Sequence, residues 1–244
     1  MSIRRYALIG VALVASAQQK PVNFYSVDKE IELGQRLSSG MAAKTTLLNN
    51  PAVSAYVDRV IGELARQIPD SPFHCAVTVV KDDLGPEPVV LPGGFIYLSA
   101  GLFMAAESES EFVGLLAYAV ADVAQRTATR LLTRGDIMQI AVQPLANMDG
   151  WQGDAVRKGT GSVIPQGMEL FRRQLAMASD AAAVRIMATG GYDPSGLAQY
   201  LARNGKADSL PARLDALRQA AAAVTAAPGS DGAEFARVRE SLAK

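Results

Sequence analysis

Histidine and cysteine are almost missing from this sequence: 244 residues contain one of each, His74 and Cys75. A single histidine excludes a metal site built from two imidazoles of one chain. A single cysteine excludes an intrachain disulfide, a thioredoxin-type redox pair, a zinc ribbon and an iron–sulfur cage. A Ser-His-Asp mechanism has only His74 to serve as its base. Neither sign of charge is in surplus, since 24 basic side chains face 24 acidic ones. Nothing therefore points to nucleic acid or to an anionic membrane surface. The apolar run Tyr6 to Val14 is shorter than the about 20 residues of a membrane span. What is present is the composition of a globular chain, 49% hydrophobic and 20% charged, with a length suited to one generous domain or two small ones. Alanine-rich stretches and an aromatic content of only 6% favour helix.

Arg4 and Arg5 precede that apolar run, and Ala15-Ser16-Ala17 follows it as a small-residue cleavage box. This order predicts a secretory signal peptide over residues 1–17. Its removal takes away two arginines and leaves 22 basic against 24 acidic side chains, a net of −2. The expected location is periplasmic or extracellular, with no stable membrane span after signal removal.

Ser26, with Asp28 and Glu30 behind it, caps a first helix. Asn50-Pro51 starts a second, whose apolar stripe is Val53, Val57, Val60, Ile61, Leu64 and Ile68. Phe73 to Val80 alternates like a half-buried strand, with Cys75 in the core and His74 a structural side chain on the opposite face. Pro86 and Pro88 predict a loop, Pro92-Gly93-Gly94 a turn, and Phe95 to Leu98 a short strand. Ser108 and Glu111 form a capping box for a long helix to about Leu132, with a break near Gly135 and a helical continuation over Gln139–Met148. Residues 149–167 hold five glycines and Pro165 without an apolar period, which predicts a mobile loop. A helix from Met168 ends at Gly190-Gly191, and two more follow, roughly Pro211–Ala226 and Asp231–Leu242. The expected fold is α+β and mainly helical, with a small β-sheet over the long 108–132 helix. One domain spans 18–227, followed by a helical tail over 228–244.

Several segments, in order, resemble the HtpX-like and CAAX-prenyl-endopeptidase (Ste-type, gluzincin) group of zinc metallopeptidases. Leu91-Pro92-Gly93-Gly94-Phe95-Ile96-Tyr97-Leu98-Ser99-Ala100-Gly101-Leu102 is similar to the turn and edge strand that lead into the family's active-site helix. Ser108 to Ala117 looks like the approach to its H-E-x-x-H motif. Ala178-Ser179-Asp180 and Gly191-Tyr192-Asp193-Pro194 are similar to its E-x-x-A-D helix and closing turn, and Asn50-Pro51 through Ala65 to its first domain helix. The resemblance covers about residues 24–220 and implies a zincin-like domain.

The departures fall on the chemistry. An H-E-x-x-H helix places two zinc-binding imidazoles on one face and a glutamate base between them. Here those positions read Tyr118-Ala119-Val120-Ala121-Asp122, so both imidazoles and the base are replaced. The third ligand position is Ala176, and Asp180, which orients a ligand in the family, is left without that role. The family's Asn-Ala before the Pro-Gly-Gly turn reads Glu87-Pro88, and a His-Pro towards its carboxyl end reads Leu210-Pro211.

Tyr118 and Asp122, four apart on a helix, are expected to hydrogen-bond to each other. Asp180 is expected to cap or to pair with Arg173 or Arg185. No catalytic residue, metal or cofactor is expected, zinc being the cofactor of intact relatives. Gly93, Gly94, Phe95, Ile96, Tyr97 and Leu98 are the candidates for holding a peptide as an added strand. The expected function is that of an exported pseudo-peptidase that binds polypeptide or an envelope protein partner without cleaving it. The competing expectations are a zinc metallo-endopeptidase and a purely structural subunit of an envelope complex.

Overall fold

Local signals set the first two helices. In α1 (Val27–Ala42) the Ser26 hydroxyl accepts from the Lys29 amide, with Asp28 and Glu30 in the first turn. In α2 (Pro51–Ala65) the Asn50 side chain accepts from the amides of Ala52 and Val53, and Val53, Val57, Val60, Ile61 and Leu64 are buried as their spacing predicts. The computed structural model describes residues 21–146, 151–205, 210–225 and 232–242, with the backbone alone for 141–146 and 151–164. The signal peptide expected over 1–17 lies outside the described residues.

The strands β1 (Ala76–Val80), β2 (Val89–Val90) and β3 (Phe95–Ser99) form one mixed sheet in the order β1-β3-β2. β1 runs parallel to β3, pairing Ala76 with Phe95 through Val80 with Ser99. β2 runs antiparallel to β3, pairing Val89 with Tyr97 and Val90 with Ile96. The expectation that Phe95–Leu98 is an edge strand is therefore wrong, for it is central. Its composition says why: Ile96, Tyr97 and Leu98 are consecutive buried residues, and an unbroken apolar run belongs to a strand covered on both faces. Pro86 and Pro88 do not abolish the neighbouring strand; proline is tolerated at the start of an edge strand, which is where β2 begins. The Pro92-Gly93-Gly94 turn forms as expected, with φ of +74° at Gly93 and +94° at Gly94. A Cβ on Gly94 would lie 2.2 Å from the His74 carbonyl oxygen, so no other residue fits this approach to β1.

β3 feeds directly into α3 (Ala100–Ala105) and then α4 (Glu109–Ala124). Ser108 Oγ accepts from the Glu111 amide at 3.2 Å, while the Glu111 carboxylate reaches back to the Glu107 amide at 2.8 Å. The helix expected to continue to Leu132 stops earlier. Arg126 takes a left-handed φ of +56°, its side chain bonding Glu30 and the Tyr25 carbonyl. A new helix, α5 (Thr127–Ala146), then runs through Gly135 without the expected break. The loop expected over 149–167 is helical from Trp151 onward, the first part of the 39-residue α6 (Trp151–Thr189). Glycine costs a helix about 1 kcal/mol relative to alanine, and packing of α5 against α6 supplies what composition withholds.

Three shorter helices, α7 (Gly196–Asn204), α8 (Leu210–Ala222) and α9 (Ala233–Leu242), complete an α+β, mostly helical fold with a small sheet, as the sequence predicts. α9 is not a tail. Phe235 joins Tyr56, Phe103 and Phe112 in one aromatic cluster, with Phe112 4.0 Å from Phe103 and 5.5 Å from Phe235 between ring centroids. These rings tie α2, α3, α4 and α9 into the same core. Phe112 is fully buried, and Phe112→Ala is expected to cost about 3–5 kcal/mol of stability in urea unfolding. A loss below about 1 kcal/mol would show that α9 and its ring cluster do not hold the domain together.

Candidate functional site

α4 is hydrophobic on nearly every side, and its second half carries the only acid of that half, Asp122, inward. Ala119 is fully buried and Asp122 is 9% exposed. α6 packs along α4 and brings Ser179 and Asp180, both buried, to the same region. Ala176 lies one turn before Asp180 on α6. α8 and the segment before β2 supply two further charges, Arg213 and Glu87.

Arg213 is the centre of the arrangement. Its Nε donates to Asp180 Oδ2 at 2.7 Å and one Nη to Asp180 Oδ1 at 2.9 Å. The same guanidinium donates to both oxygens of Glu87, at 3.0 and 2.8 Å. Its carbon lies 5.0 Å from the centroid of the Tyr118 ring, as a cation–π contact. Burial works against the Arg213 charge, yet the two carboxylates outweigh it and hold the group firmly protonated. The expected partners of Asp180 do not meet it. Arg173 and Arg185 share its helix at spacings of seven and five residues, whereas only three or four bring side chains together; Arg173 pairs with Glu169 instead.

The expected Tyr118–Asp122 hydrogen bond does not form. Asp122 Oδ1 accepts from the Ser179 hydroxyl at 2.8 Å, and Ser179 in turn accepts from Gln125 at 3.3 Å. Burial raises the Asp122 carboxyl against the pull of the Ser179 hydrogen bond and the Arg213 charge. Burial also raises the Tyr118 phenol, which stays neutral. The β3 candidates are structural: Ile96 and Leu98 are fully buried and the Tyr97 hydroxyl donates to the Ser38 carbonyl at 2.9 Å. Phe95 is half-buried, and Gly93 and Gly94 turn the chain beneath α1 and against His74. His74 is exposed ahead of β1. Cys75 is in the core, where burial pushes its thiol up to about 11.

The family model of Peptidase family M48 matches residues 49–235, which covers α2 through the start of α9. The chain belongs to peptidase family M48. Among curated proteins, this M48 chain is similar to the beta-barrel assembly-enhancing protease of Yersinia pestis, 24% identical over 191 residues, covering 72% of this chain and 37% of that protein. The protein of that name from Escherichia coli strain K12 is 22% identical over the same length and shares. The chain thus spans well under half the length of these relatives.

Zinc, which the resemblance implies, does not fit this donor set. Tyr118, Ala119, Asp122 and Ala176 offer one carboxylate and one neutral phenol, where zinc asks for three protein ligands. No group of three His, Cys, Asp or Glu suited to a metal occurs among the described residues. Asp180, beside those positions, is bound to a guanidinium. Sequence reasoning missed Arg213 and Ser179 as members of this cluster. The available signal is Glu87, an acid where the resemblance has none, which calls for a basic partner in the fold.

Asp180 is 3% and Arg213 12% exposed in their side chains. Arg213→Ala should therefore cost about 3–5 kcal/mol, chiefly by stranding Asp180. Arg213→Met combined with Asp180→Leu should recover most of that loss in denaturant titration, and additive losses would show that the pair is not coupled. For Asp122 the sign is the reverse of a salt-bridged acid. Its folded value is raised, so the folded state holds the proton more tightly. Its favourable contribution is full below the unfolded value and is lost as pH rises through the folded one. Asp122→Asn should accordingly gain stability over the parent above that window and lose the advantage in acid; an advantage that persists unchanged in acid would contradict the raised carboxyl.

Proposed function

We propose that this M48 family member does not cut peptide bonds and instead holds an extended segment of a protein partner against the outer edge of β2. The observation that carries the reading is the Arg213 guanidinium, bonded to Asp180 and Glu87 where the resemblance places metal chemistry. Water activation in this family asks for a metal held by three ligands and for a base. Ala119 stands at the base position and has no proton to exchange.

Binding of a strand asks for none of those groups. It asks for outward backbone donors and acceptors beside the cleft, and β2 offers an N–H and a C=O at Val90. The Leu91 amide bonds inward to the Phe95 carbonyl at 2.8 Å. By the alternation of an antiparallel ladder, Val90 then turns its N–H and C=O away from β3. β2 also packs against α4, and Glu87, two residues before it, is clamped by Arg213. The added strand thus belongs on β2, and not on Phe95–Leu98.

The partner is read as a bacterial envelope protein. Relatives named for beta-barrel assembly support this, as does the signal peptide expected over residues 1–17. No helix among the described residues is long and apolar enough to cross a membrane.

The test uses the protein without residues 1–17, with metal content, cleavage of an unfolded substrate and peptide binding measured together. Zinc well below one equivalent, no chelator-sensitive cleavage and saturable capture of extended peptides are expected. Val90→Pro, which removes the outward donor while sparing the bond at Leu91, should weaken that capture roughly tenfold. Stoichiometric zinc with chelator-sensitive cleavage would overturn the non-cleaving reading, and capture indifferent to Val90→Pro would overturn the β2 edge.

A further inference from the structure

Three arginines recur four residues apart where α4 gives way to α5: Arg126, Arg130 and Arg134. Like charges at this spacing repel, and the three are not neutralised alike. Arg126 is committed, with Nε 2.7 Å from Glu30 Oε2 and an Nη 2.6 Å from the Tyr25 carbonyl oxygen. Arg134 is exposed and lies over the Phe171 ring, 5.5 Å from its centroid, with no carboxylate partner among the described residues. Arg130 has less still: its Nε is buried and has no hydrogen-bond partner among the described residues. Burial works against its charge, and Asp122 is the acid that acts to sustain it.

Two small pockets flank the Arg130 side chain. One, of about 320 Å³, is lined by Pro21, Asn23, Ala124, Gln125, Arg126 and Arg130. The other, of about 220 Å³, includes Thr133, Arg134 and Phe171 with Arg130. The neutral polar groups around them already serve one another or their neighbours. Asn23 Nδ2 donates to Thr129, Thr133 Oγ1 accepts from the Phe24 amide, and Gln125 donates to Ser179. What remains to answer an incoming group is guanidinium N–H, planar and positively charged.

We propose that Arg130, flanked by Arg126 and Arg134, anchors an oxyanion site that takes a phosphate or carboxylate group. Free guanidinium forks match both groups bidentately and offer nothing to a cation. A buried donor left without a partner destabilises the empty fold, so the arrangement answers binding and not stability. Neither pocket is lined by Arg213, Asp180, Glu87 or β2, although Gln125 and Asp122 connect this region to the edge of that cluster. Oxyanion binding here does not rest on the non-cleaving reading.

The test is calorimetric titration of the full chain at low ionic strength with inorganic phosphate, and in a second series with acetate. Saturable binding of at least one is expected, and the tighter of the two identifies the source of the oxyanion. Arg130→Met should weaken it roughly tenfold or more while raising the thermal midpoint of the protein without ligand. Arg172→Gln, which alters an exposed arginine paired with Glu169 on α6, should change neither reading. Should Arg130→Met fail to fold, Arg134→Gln on the exposed rim should still weaken binding. Binding that is absent in the parent, or equally weakened by Arg172→Gln, would overturn the site.

Discussion

Asp180, Glu87 and Tyr118 come from three parts of the chain, and one guanidinium on a fourth holds them together. Removing a carboxylate and a guanidinium from water is expensive, and the cost is recovered only when geometry satisfies both groups. Arg213 meets that condition with four hydrogen bonds to two carboxylates and a ring beneath its face. Because α8 carries it, α6 carries Asp180 and Glu87 leads into β2, this contact ties the approach to the edge strand to two helices. A metal held by α4 and α6 would fasten those two helices to each other. The guanidinium fastens α6 to α8 and to the sheet instead.

The remaining acid of the cluster follows from the same charge balance. Arg213 carries one positive charge and already faces two carboxylates, so a third buried acid gains little from it. Asp122 relies on the Ser179 hydroxyl, and burial raises its carboxyl. The pair expected from spacing alone, Tyr118 with Asp122, loses to these alternatives. The phenol ring serves better as a flat surface for the cation, and the α6 serine reaches the acid directly.

What was legible in the sequence was local. The caps at Ser26, Asn50 and Ser108, the Pro92-Gly93-Gly94 turn, the burial of Cys75 and the stripe of α2 all depend on neighbours within a few residues, and all formed as expected. The errors share a different origin. Residues 151–167 lack an apolar period and are rich in glycine, yet they are helical where α5 lies alongside. The β3 strand reads as an edge in the sequence because the two-residue β2 between prolines and a turn is too short for any periodicity to show. The capping signal at Ser108 started α4 correctly, but the stop at Arg126 is set by Glu30 and Tyr25, about a hundred residues earlier. The candidate site divides in the same way. Tyr118, Ala119, Asp122 and Ala176 stand out in the sequence through the resemblance alone, whereas the arginine that joins Asp180 to Glu87 does not stand out at all, since no spacing links residues 87, 180 and 213.

A guanidinium centre and a metal centre also respond to different conditions. Metal sites depend on deprotonated ligands and on supply of the ion, so their integrity varies with pH and with chelators. An arginine carries its charge at every physiological pH, and it is present as soon as the chain folds. The cation of the clamp between α6, α8 and the approach to β2 is therefore present without any ion to load. Burial raises the Asp180 carboxyl inside the Arg213 fork as well as that of Asp122 beside it, so two acids of the cluster respond to pH. A scaffold arranged in this way ties the approach to its edge strand to α6 and α8 through side chains of the chain alone. Under the proposed non-cleaving reading, a cation supplied by the chain itself suits a surface that presents backbone hydrogen bonds, since such a surface has no ion to load before it acts.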